Sequence, residues 1–139
     1  MKKLILLTFG ILMTSNMALA CGGVTIKGKS GSSYCLSEQE MNWYSASAWC
    51  QAQGMDLIDA KAVCGSLTTC DELKLSTAEK EKVVAVAKNS NKHVFGWTKT
   101  SSSTSSAYLS FLTSGGELNT AASHNATRTN TFRYHAFCK

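Results

Sequence analysis

The sequence predicts an α+β domain in which two helices pack with antiparallel sheets and disulfides hold the chain together. Three observations support this prediction: six cysteines in a chain of 139 residues, two helical patterns before residue 92, and alternating strand patterns after it. The length is enough for one domain and too short for two. Hydrophobic residues make up 44% of the chain, so the composition supplies enough apolar surface for a core.

The N-terminal segment has the pattern of a secretory signal peptide. Met1-Lys2-Lys3 is a short basic start, Leu4 to Met13 is largely apolar, and Ala18-Leu19-Ala20 supplies the small residues that a signal peptidase needs. We therefore expect residues 1–20 to be a signal peptide and residues 21–139 to form a single exported domain. The apolar stretch is too short for a transmembrane helix.

The compartment follows from this expectation. The short Lys-Lys start is typical of bacteria, so the mature protein should lie in the periplasm, on the cell surface or outside the cell, where disulfides are stable. A lipid anchor on Cys21, which follows Ala20 directly, is the competing interpretation. That anchor would leave an odd number of cysteines for pairing.

The first elements are predicted as a hairpin followed by a helix. Val24-Thr25-Ile26 and Tyr34-Cys35 flank a turn rich in glycine and serine at residues 28–33. Asn42 is placed to cap a helix whose apolar residues recur at helical spacing, and Gly54 is placed to end it.

A second helix and a run of strands follow. Ser76-Thr77-Ala78-Glu79 has the form of a capping box, in which Ser76 caps the helix and Glu79 reaches back to it. We expect this helix to stop near residues 89–91. The rest of the chain predicts strands at 94–98, 107–112 and 132–138, with a tight turn at Gly115-Gly116 before the last of them.

The helical segment carries a specific motif. Trp43, Ala46, Cys50, Gly54 and Leu57 stand as W-x-x-A-x-x-x-C-x-x-x-G-x-x-L, which resembles the first helix of the C-type-lectin-like superfamily. In the same family, Tyr34-Cys35 resembles the end of the N-terminal hairpin, Phe95-Gly96-Trp97 the Trp-Ile-Gly strand and Phe137-Cys138-Lys139 the closing strand. The second half also resembles secreted bacterial lectin-like domains of adhesins and fimbria-associated proteins, at Gly96 to Thr100, Ala107 to Phe111, Gly116 to Leu118 and Arg133 to Cys138. The resemblance covers nearly all of residues 21–139 and implies a C-type-lectin-like fold.

The resemblance also implies how the cysteines pair. Sequence alone permits fifteen pairings of six cysteines. The family pattern implies Cys50–Cys138 between the first helix and the last strand, Cys21–Cys35 in the hairpin, and Cys64–Cys70 across a short loop.

The calcium-dependent sugar site of this family is not expected here. Glu117-Leu118-Asn119 has leucine where the family has proline, and the chain contains no proline at all. His124-Asn125-Ala126 has alanine where the family supplies an aspartate ligand, and calcium requires six to eight oxygen ligands. We therefore expect no metal and no other cofactor.

Zinc, catalysis and nucleic acid are also disfavoured. Cys64 and Cys70 lack the close spacing of structural zinc ligands, and an exported cysteine pair favours a disulfide. The sequence has no nucleophile elbow, and every cysteine has a structural partner in the implied pairing, so we do not expect an enzyme. Nucleic acid is a poor partner for an exported protein.

A binding surface in the second half remains the favoured function. Residues 82–139 contain seven basic residues and only one acid, Glu117, a balance that suits a polyanion or can be a solvated face. We expect calcium-independent binding of an anionic glycan or a host-matrix component. The candidate ligand-binding residues are Lys99, Glu117, Asn119, His124, Asn125, Arg128 and Arg133.

Three further expectations concern this surface. Arg133 and His135 alternate along the last strand and should share one face with basic and aromatic character, or simply solvate its outer side. Residues 119–131 are a candidate ligand loop, and the three tryptophans are expected in the core.

The alternative function is a structural subunit or decoration of a surface or fimbrial assembly without a soluble ligand.

Overall fold

The computed structural model describes residues 20–87, 94–112, 118–128 and 131–139, excluding the side chains of residues 108–112 and 118–125. The predicted signal peptide, except its last residue, lies outside the described residues. So do the predicted helix end at 89–91 and the predicted turn at Gly115-Gly116.

The described residues form an α+β domain, as predicted, with three helices and six strands. In chain order the elements are β1 (Val24–Lys27), β2 (Ser33–Met41), α1 (Trp43–Gln51), α2 (Ala60–Cys64), α3 (Thr77–Val86), β3 (Val94–Ser101), β4 (Ser106–Leu112), β5 (Leu118–Thr127) and β6 (Tyr134–Cys138). The prediction of two helices missed α2, which is too short to show a helical period.

One sheet contains all six strands, in the order β1-β2-β6-β3-β4-β5. Strand β6 is antiparallel to β2, where Leu36 pairs with Phe137, and parallel to β3, where Trp97 pairs with Ala136. The sheet is therefore mixed, and the prediction of antiparallel sheets was wrong for this one pair. Strand direction depends on which neighbours a strand inserts between, which a local sequence pattern does not encode.

The helix starts follow the capping residues of the sequence. Asn42 Oδ1 accepts a hydrogen bond from Ser45 N at 2.8 Å, and Asp59 Oδ1 accepts one from Ala62 N at 3.1 Å. Ser76 caps α3 as predicted, but Glu79 does not complete a capping box. Its carboxylate instead accepts hydrogen bonds from Lys27 N at 2.8 Å and from Lys82 Nζ at 2.8 Å.

The candidate ligand loop at residues 119–131 is largely a strand. Residues 118–127 form β5, which is antiparallel to β4 with Ala107 opposite Ala126. The polar composition suggested a loop, but threonine favours strands and the hairpin register with β4 overrides the low propensity of asparagine and serine.

Two core clusters lie on the two faces of β6. Phe137 packs in one cluster with Tyr34, Leu36 and other apolar residues, whereas Ala136 and Cys138 pack in the other. All five residues are buried, because successive side chains of a central strand point to opposite covered faces.

The three disulfides join Cys21 to Cys35, Cys50 to Cys138 and Cys64 to Cys70, which are the pairs that the family resemblance implies. Three disulfides in one small domain indicate an oxidising, non-cytoplasmic environment.

Candidate functional site

An arginine stacked on a tryptophan is the first feature of the candidate site. Arg128 follows β5, and its guanidinium carbon lies 4.3 Å from the centroid of the Trp43 ring at the start of α1. The Trp43 ring is itself held by a hydrogen bond from its Nε1 to the Thr98 carbonyl at 2.9 Å. Arg128 Nη2 donates a hydrogen bond to Ser101 Oγ, so the guanidinium is fixed from two sides.

The charge of Arg128 has no ion-pair partner in the described part of the chain, where every salt bridge within 4.0 Å involves other residues. Its Nε is buried and has no hydrogen-bond partner among the described residues. A guanidinium has five N–H donors, and among the described residues the bond to Ser101 engages one of them. The arginine is therefore oriented and retains capacity for an anion.

Two large aromatic residues of the described chain are exposed, and one of them contacts the Trp43 ring on which Arg128 stacks. Tyr44 is 62% exposed and its ring meets the Trp43 ring edge-on at 5.3 Å. Phe132 is 41% exposed and stacks on Tyr134 with the ring centroids 6.3 Å apart. Arg133, between these two rings in sequence, is exposed.

The two groups of rings are linked through β2 and β3. The Tyr134 ring contacts the buried Trp97 ring at 5.1 Å, and the Trp97 indole donates to the Met41 carbonyl at 2.8 Å. Met41 pairs with Tyr134 in the sheet and lies two residues before Trp43. We call the set Trp43, Tyr44, Arg128, Phe132, Arg133 and Tyr134 the aromatic–arginine surface.

The buried His135 does not belong to this surface, contrary to the prediction that it shares an exposed face with Arg133. It is 1% exposed, and its Nδ1 lies 2.7 Å from the Ser37 carbonyl oxygen. Its Nε2 lies 3.7 Å from a carboxylate oxygen of Glu40. Because β6 is a central strand, the histidine faces the neighbouring strand β2 rather than solvent.

The predicted ligand-binding residues are not all brought together. Arg128 and Arg133 belong to the aromatic–arginine surface, but Lys99 on β3 lines a separate cleft, where its Nζ is 3.4 Å from Asp56 Oδ2. Glu117 lies outside the described residues. Asn119, His124 and Asn125 are placed on β5, with side chains outside the description.

Sequence reasoning missed the aromatic half of the surface. The three tryptophans are predicted to lie in the core; Trp97 is fully buried, whereas Trp43 and Trp49 are half-buried and pack against the edge of the same core cluster. The position of Trp43 at the first turn of α1, immediately before a second aromatic residue, was the available signal. A helix start lies at the edge of a core, where one face of a large ring is left accessible.

The cleft that contains Lys99 is a second concave feature, with a volume of about 410 Å³. Its lining joins the β1–β2 turn, the segment before α2, the loop after Cys70 and the end of β6. Tyr34 and Glu72 form part of its wall, and Lys139 lies at its edge over the Tyr34 ring.

In the part of the chain with described side chains, no three histidine, cysteine, aspartate or glutamate residues converge as potential metal ligands. None of the helices described is long and apolar enough to span a membrane. No family model, curated protein or solved structure matches the chain. Its function therefore has to be inferred from the site itself.

Proposed function

We propose that this protein is an exported bacterial lectin-like binding module or adhesin that recognises an anionic glycan, such as a sulfated or uronic polysaccharide, without calcium. The aromatic–arginine surface is the binding site. The observation that carries the proposal is the Arg128 guanidinium stacked on Trp43 without a carboxylate partner among the described residues.

The arginines supply the chemistry for anionic groups. A guanidinium binds sulfate or carboxylate through two parallel hydrogen bonds, which fix orientation as well as charge. Stacking on Trp43 and the bond to Ser101 hold Arg128 in place before a ligand arrives, so less side-chain entropy is lost on binding. Arg133 provides a second exposed cation close to Phe132 in the chain.

The aromatic rings supply the chemistry for the sugar itself. A sugar ring presents C–H groups on one face and hydroxyls at its edge, so an exposed aromatic ring covers the apolar face while polar groups bind the edge. Tyr44 and Phe132 are the two exposed large hydrophobic residues of the described chain. Exposed rings, together with arginines that have no carboxylate within 4.0 Å among the described residues, fit a polymer of acidic sugars better than a purely apolar ligand.

Binding of a sulfated oligosaccharide, measured calorimetrically at low salt with a chelator present, tests this proposal. We expect Arg128→Ala to weaken binding about tenfold or more, because a charge-assisted hydrogen bond contributes about 1.5 to 3 kcal/mol. Tyr44→Ala, at a ring with little role in the core, should weaken binding without changing thermal stability.

The matched control is Lys61→Ala, which removes one exposed positive charge on α2. It should change the affinity less than about twofold, since only general electrostatic attraction is reduced. Equal losses of glycan affinity in the Arg128→Ala and Lys61→Ala variants would show that binding depends on net charge alone, and would contradict a specific site at Arg128. No binding of any sulfated or uronic glycan at low salt would refute the proposal.

A structural subunit role is the second candidate, and the edge strand β5 favours it. This ten-residue strand ends the sheet and pairs only with β4 among the described residues. An open strand edge offers backbone groups to a strand from another chain. Sedimentation of the purified protein at rising concentration tests this: ordered assembly supports it, whereas a monomer throughout contradicts self-assembly through β5.

A further inference from the structure

The cleft between the β1–β2 turn and α2 is separate from the aromatic–arginine surface. Its volume of about 410 Å³ lies in the usual range for small-molecule sites, about 300 to 1,000 Å³. Val63 is the partly exposed apolar side chain of the lining, whereas Leu57, Ile58 and the Tyr34 ring lie buried behind the cleft surface, with Lys139 over the ring. The remaining lining is polar and carries three carboxylates, Asp56, Asp59 and Glu72.

Glu72 is held in its ionised form by neutral donors. Its carboxylate accepts hydrogen bonds from Ser30 Oγ at 2.6 Å, from Ser30 N at 3.0 Å and from Tyr34 Oη at 3.1 Å. Burial alone would raise the pKa of Glu72, but the Ser30 and Tyr34 hydrogen bonds and the Lys139 charge bring the pKa below its usual value. The negative charge is therefore present at neutral pH.

The other two carboxylates differ in their partners. Asp59 accepts hydrogen bonds from Ala62 N at 3.1 Å and from Thr100 Oγ1 at 3.3 Å, and the former in particular lowers its pKa. Asp56 lies 3.4 Å from Lys99 Nζ. In the part of the chain that is described, Asp59 and Glu72 have no lysine or arginine nitrogen within 4.0 Å, so the cleft keeps an excess of negative charge.

The ammonium group of Lys139 lies over the Tyr34 ring at the edge of the cleft. Lys139 Nζ lies 5.2 Å from the centroid of the Tyr34 ring, on the side of the cleft where Glu72 lies. No aspartate or glutamate oxygen among the described residues lies within 4.0 Å of this ammonium. The ring face and the nearby carboxylate thus hold a primary ammonium loosely, without a direct ion pair.

From this arrangement we infer that the cleft is a binding site for a small aliphatic primary amine, whose ammonium replaces Lys139 between the Tyr34 ring and Glu72. The methylene groups of the amine lie against Val63, the lining's partly exposed apolar side chain. Ser30 and Ser32, which also line the cleft, accept the remaining ammonium hydrogens.

Glycine at position 28 is required for this geometry. A Cβ at Gly28 would collide with the Glu72 side chain and lie 2.9 Å from the Glu72 carbonyl oxygen. Lys29 N also donates to that carbonyl at 2.7 Å, which fixes the turn against the loop that carries Glu72. The cleft wall is therefore set by backbone contacts and exists before a ligand binds.

Titration of the full chain with n-butylamine or cadaverine, followed by NMR chemical shifts of the backbone amides, tests this site. We expect saturable shifts at Ser30, Glu72 and Lys139. Glu72→Gln should weaken binding about tenfold, because a charge-assisted bond is lost. Lys139→Met should tighten binding about two- to fivefold, because the competing intramolecular cation–π contact is removed.

Three comparisons keep the test specific. Glu81→Gln on the exposed side of α3 is the matched control and should leave amine binding unchanged. The neutral analogue n-butanol should cause no saturable shifts. Asp56→Asn, which does not touch the Glu72 hydrogen bonds, reports on the cleft charge if Glu72→Gln unfolds the protein, and it should weaken amine binding.

Equal binding of n-butanol and n-butylamine would overturn the inference, as would unchanged affinity in both the Lys139→Met and Asp56→Asn variants. Absence of shifts at the cleft at high amine concentration would also overturn it. These outcomes are independent of the glycan proposal, because the cleft residues do not belong to the aromatic–arginine surface.

Discussion

At the scale of single residues, Glu72 connects segments that are far apart in the sequence. Its two carboxylate oxygens accept hydrogen bonds from Ser30 and Tyr34, 42 and 38 positions away. One side chain thereby attaches the loop after Cys70 to the first hairpin. An amide could not replace it, because the amide NH2 group would face one of these donors and cannot accept a hydrogen bond.

We expect Glu72→Gln to lower the free energy of unfolding by about 1 to 2 kcal/mol at neutral pH, because hydrogen bonds to a charged acceptor are lost. The folded state lowers the pKa of Glu72, so this stabilisation is present above the unfolded pKa of about 4.3 and is lost as the pH falls through the lower, folded pKa.

Denaturant unfolding of the wild type and the variant between about pH 7 and pH 3 measures this effect. The difference in unfolding free energy should be constant above about pH 5 and shrink as acid is added below it. A difference that stays constant down to about pH 3 would show that the Glu72 charge has no part in stability.

Tyr34 provides a second titration that is visible at alkaline pH. Burial, followed by the Glu72 charge and hydrogen bond, raises its pKa to about 12. The folded state thus favours the neutral phenol, and this contribution is present below the unfolded pKa of about 10 and is lost as the pH rises through about 12.

The phenolate absorbance of the wild type minus that of Tyr34→Phe isolates this group. We expect a midpoint near 12 in the wild type and a lower midpoint in Glu72→Gln, where the carboxylate charge is gone. A difference titration with its midpoint at the ordinary value of a tyrosine would contradict the contact with Glu72.

At the scale of elements, the sequence predicts where the helices begin better than it predicts which distant residues contact them. Asn42 and Ser76 begin α1 and α3 as predicted, because a cap is a contact within four residues. Glu79 does not take its expected role, because its carboxylate accepts hydrogen bonds from Lys27 N on β1, 52 positions away, and from Lys82 Nζ. Long-range partners of this kind carry no local signal.

For the strands, too, local patterns could be predicted from the sequence, whereas pairing with distant segments could not. The alternating patterns predict β3, β4 and β6, whereas residues 119–131, rich in asparagine, serine and threonine, suggest a loop although residues 118–127 form β5. Pairing with β4 supplies the backbone hydrogen bonds that make them a strand. The parallel pairing of β6 with β3 depends on insertion of β6 beside β2, which is a property of the whole sheet.

In the candidate site, the charged residues could be predicted from the sequence, whereas their contacts could not. Arg128 and Arg133 could be selected from charge alone, because basic residues are concentrated in the second half of the chain. The stacking of Arg128 on Trp43 could not be predicted, because the two residues are 85 positions apart in the sequence. The sequence places Lys99 with these two arginines as a candidate ligand-binding residue. In the structure Lys99 lies on β3 beside Asp56, in the cleft between the β1–β2 turn and α2.

At the scale of the whole molecule, the Cys50–Cys138 disulfide ties α1 to the central strand over a separation of 88 residues. In the loop-entropy treatment such a bridge stabilises by about 4 to 5 kcal/mol, whereas the six-residue separation of Cys64–Cys70 corresponds to about 2 kcal/mol. The first bridge joins two buried cysteines in one core cluster.

We therefore expect the double variant Cys50→Ala/Cys138→Ala to lose more stability than Cys64→Ala/Cys70→Ala, by about 2 kcal/mol or more. Denaturant midpoints of the two oxidised variants provide the comparison. The reverse order would mean that the short bridge, rather than the link between α1 and β6, stabilises the domain.

The central claim is that the aromatic–arginine surface binds an anionic glycan. The most direct measurement is an NMR titration of the isotope-labelled protein with a sulfated oligosaccharide, at low salt and with a chelator present. The Trp43 indole N–H, which donates to Thr98, reports on the surface, whereas the Ser30 amide, in the separate cleft, is the internal reference. We predict saturable shifts at Trp43, Tyr44 and Phe132 that require about tenfold more ligand or higher still to saturate in Arg128→Ala. Saturation with these three residues unmoved, or no saturable shifts at all, would contradict the claim.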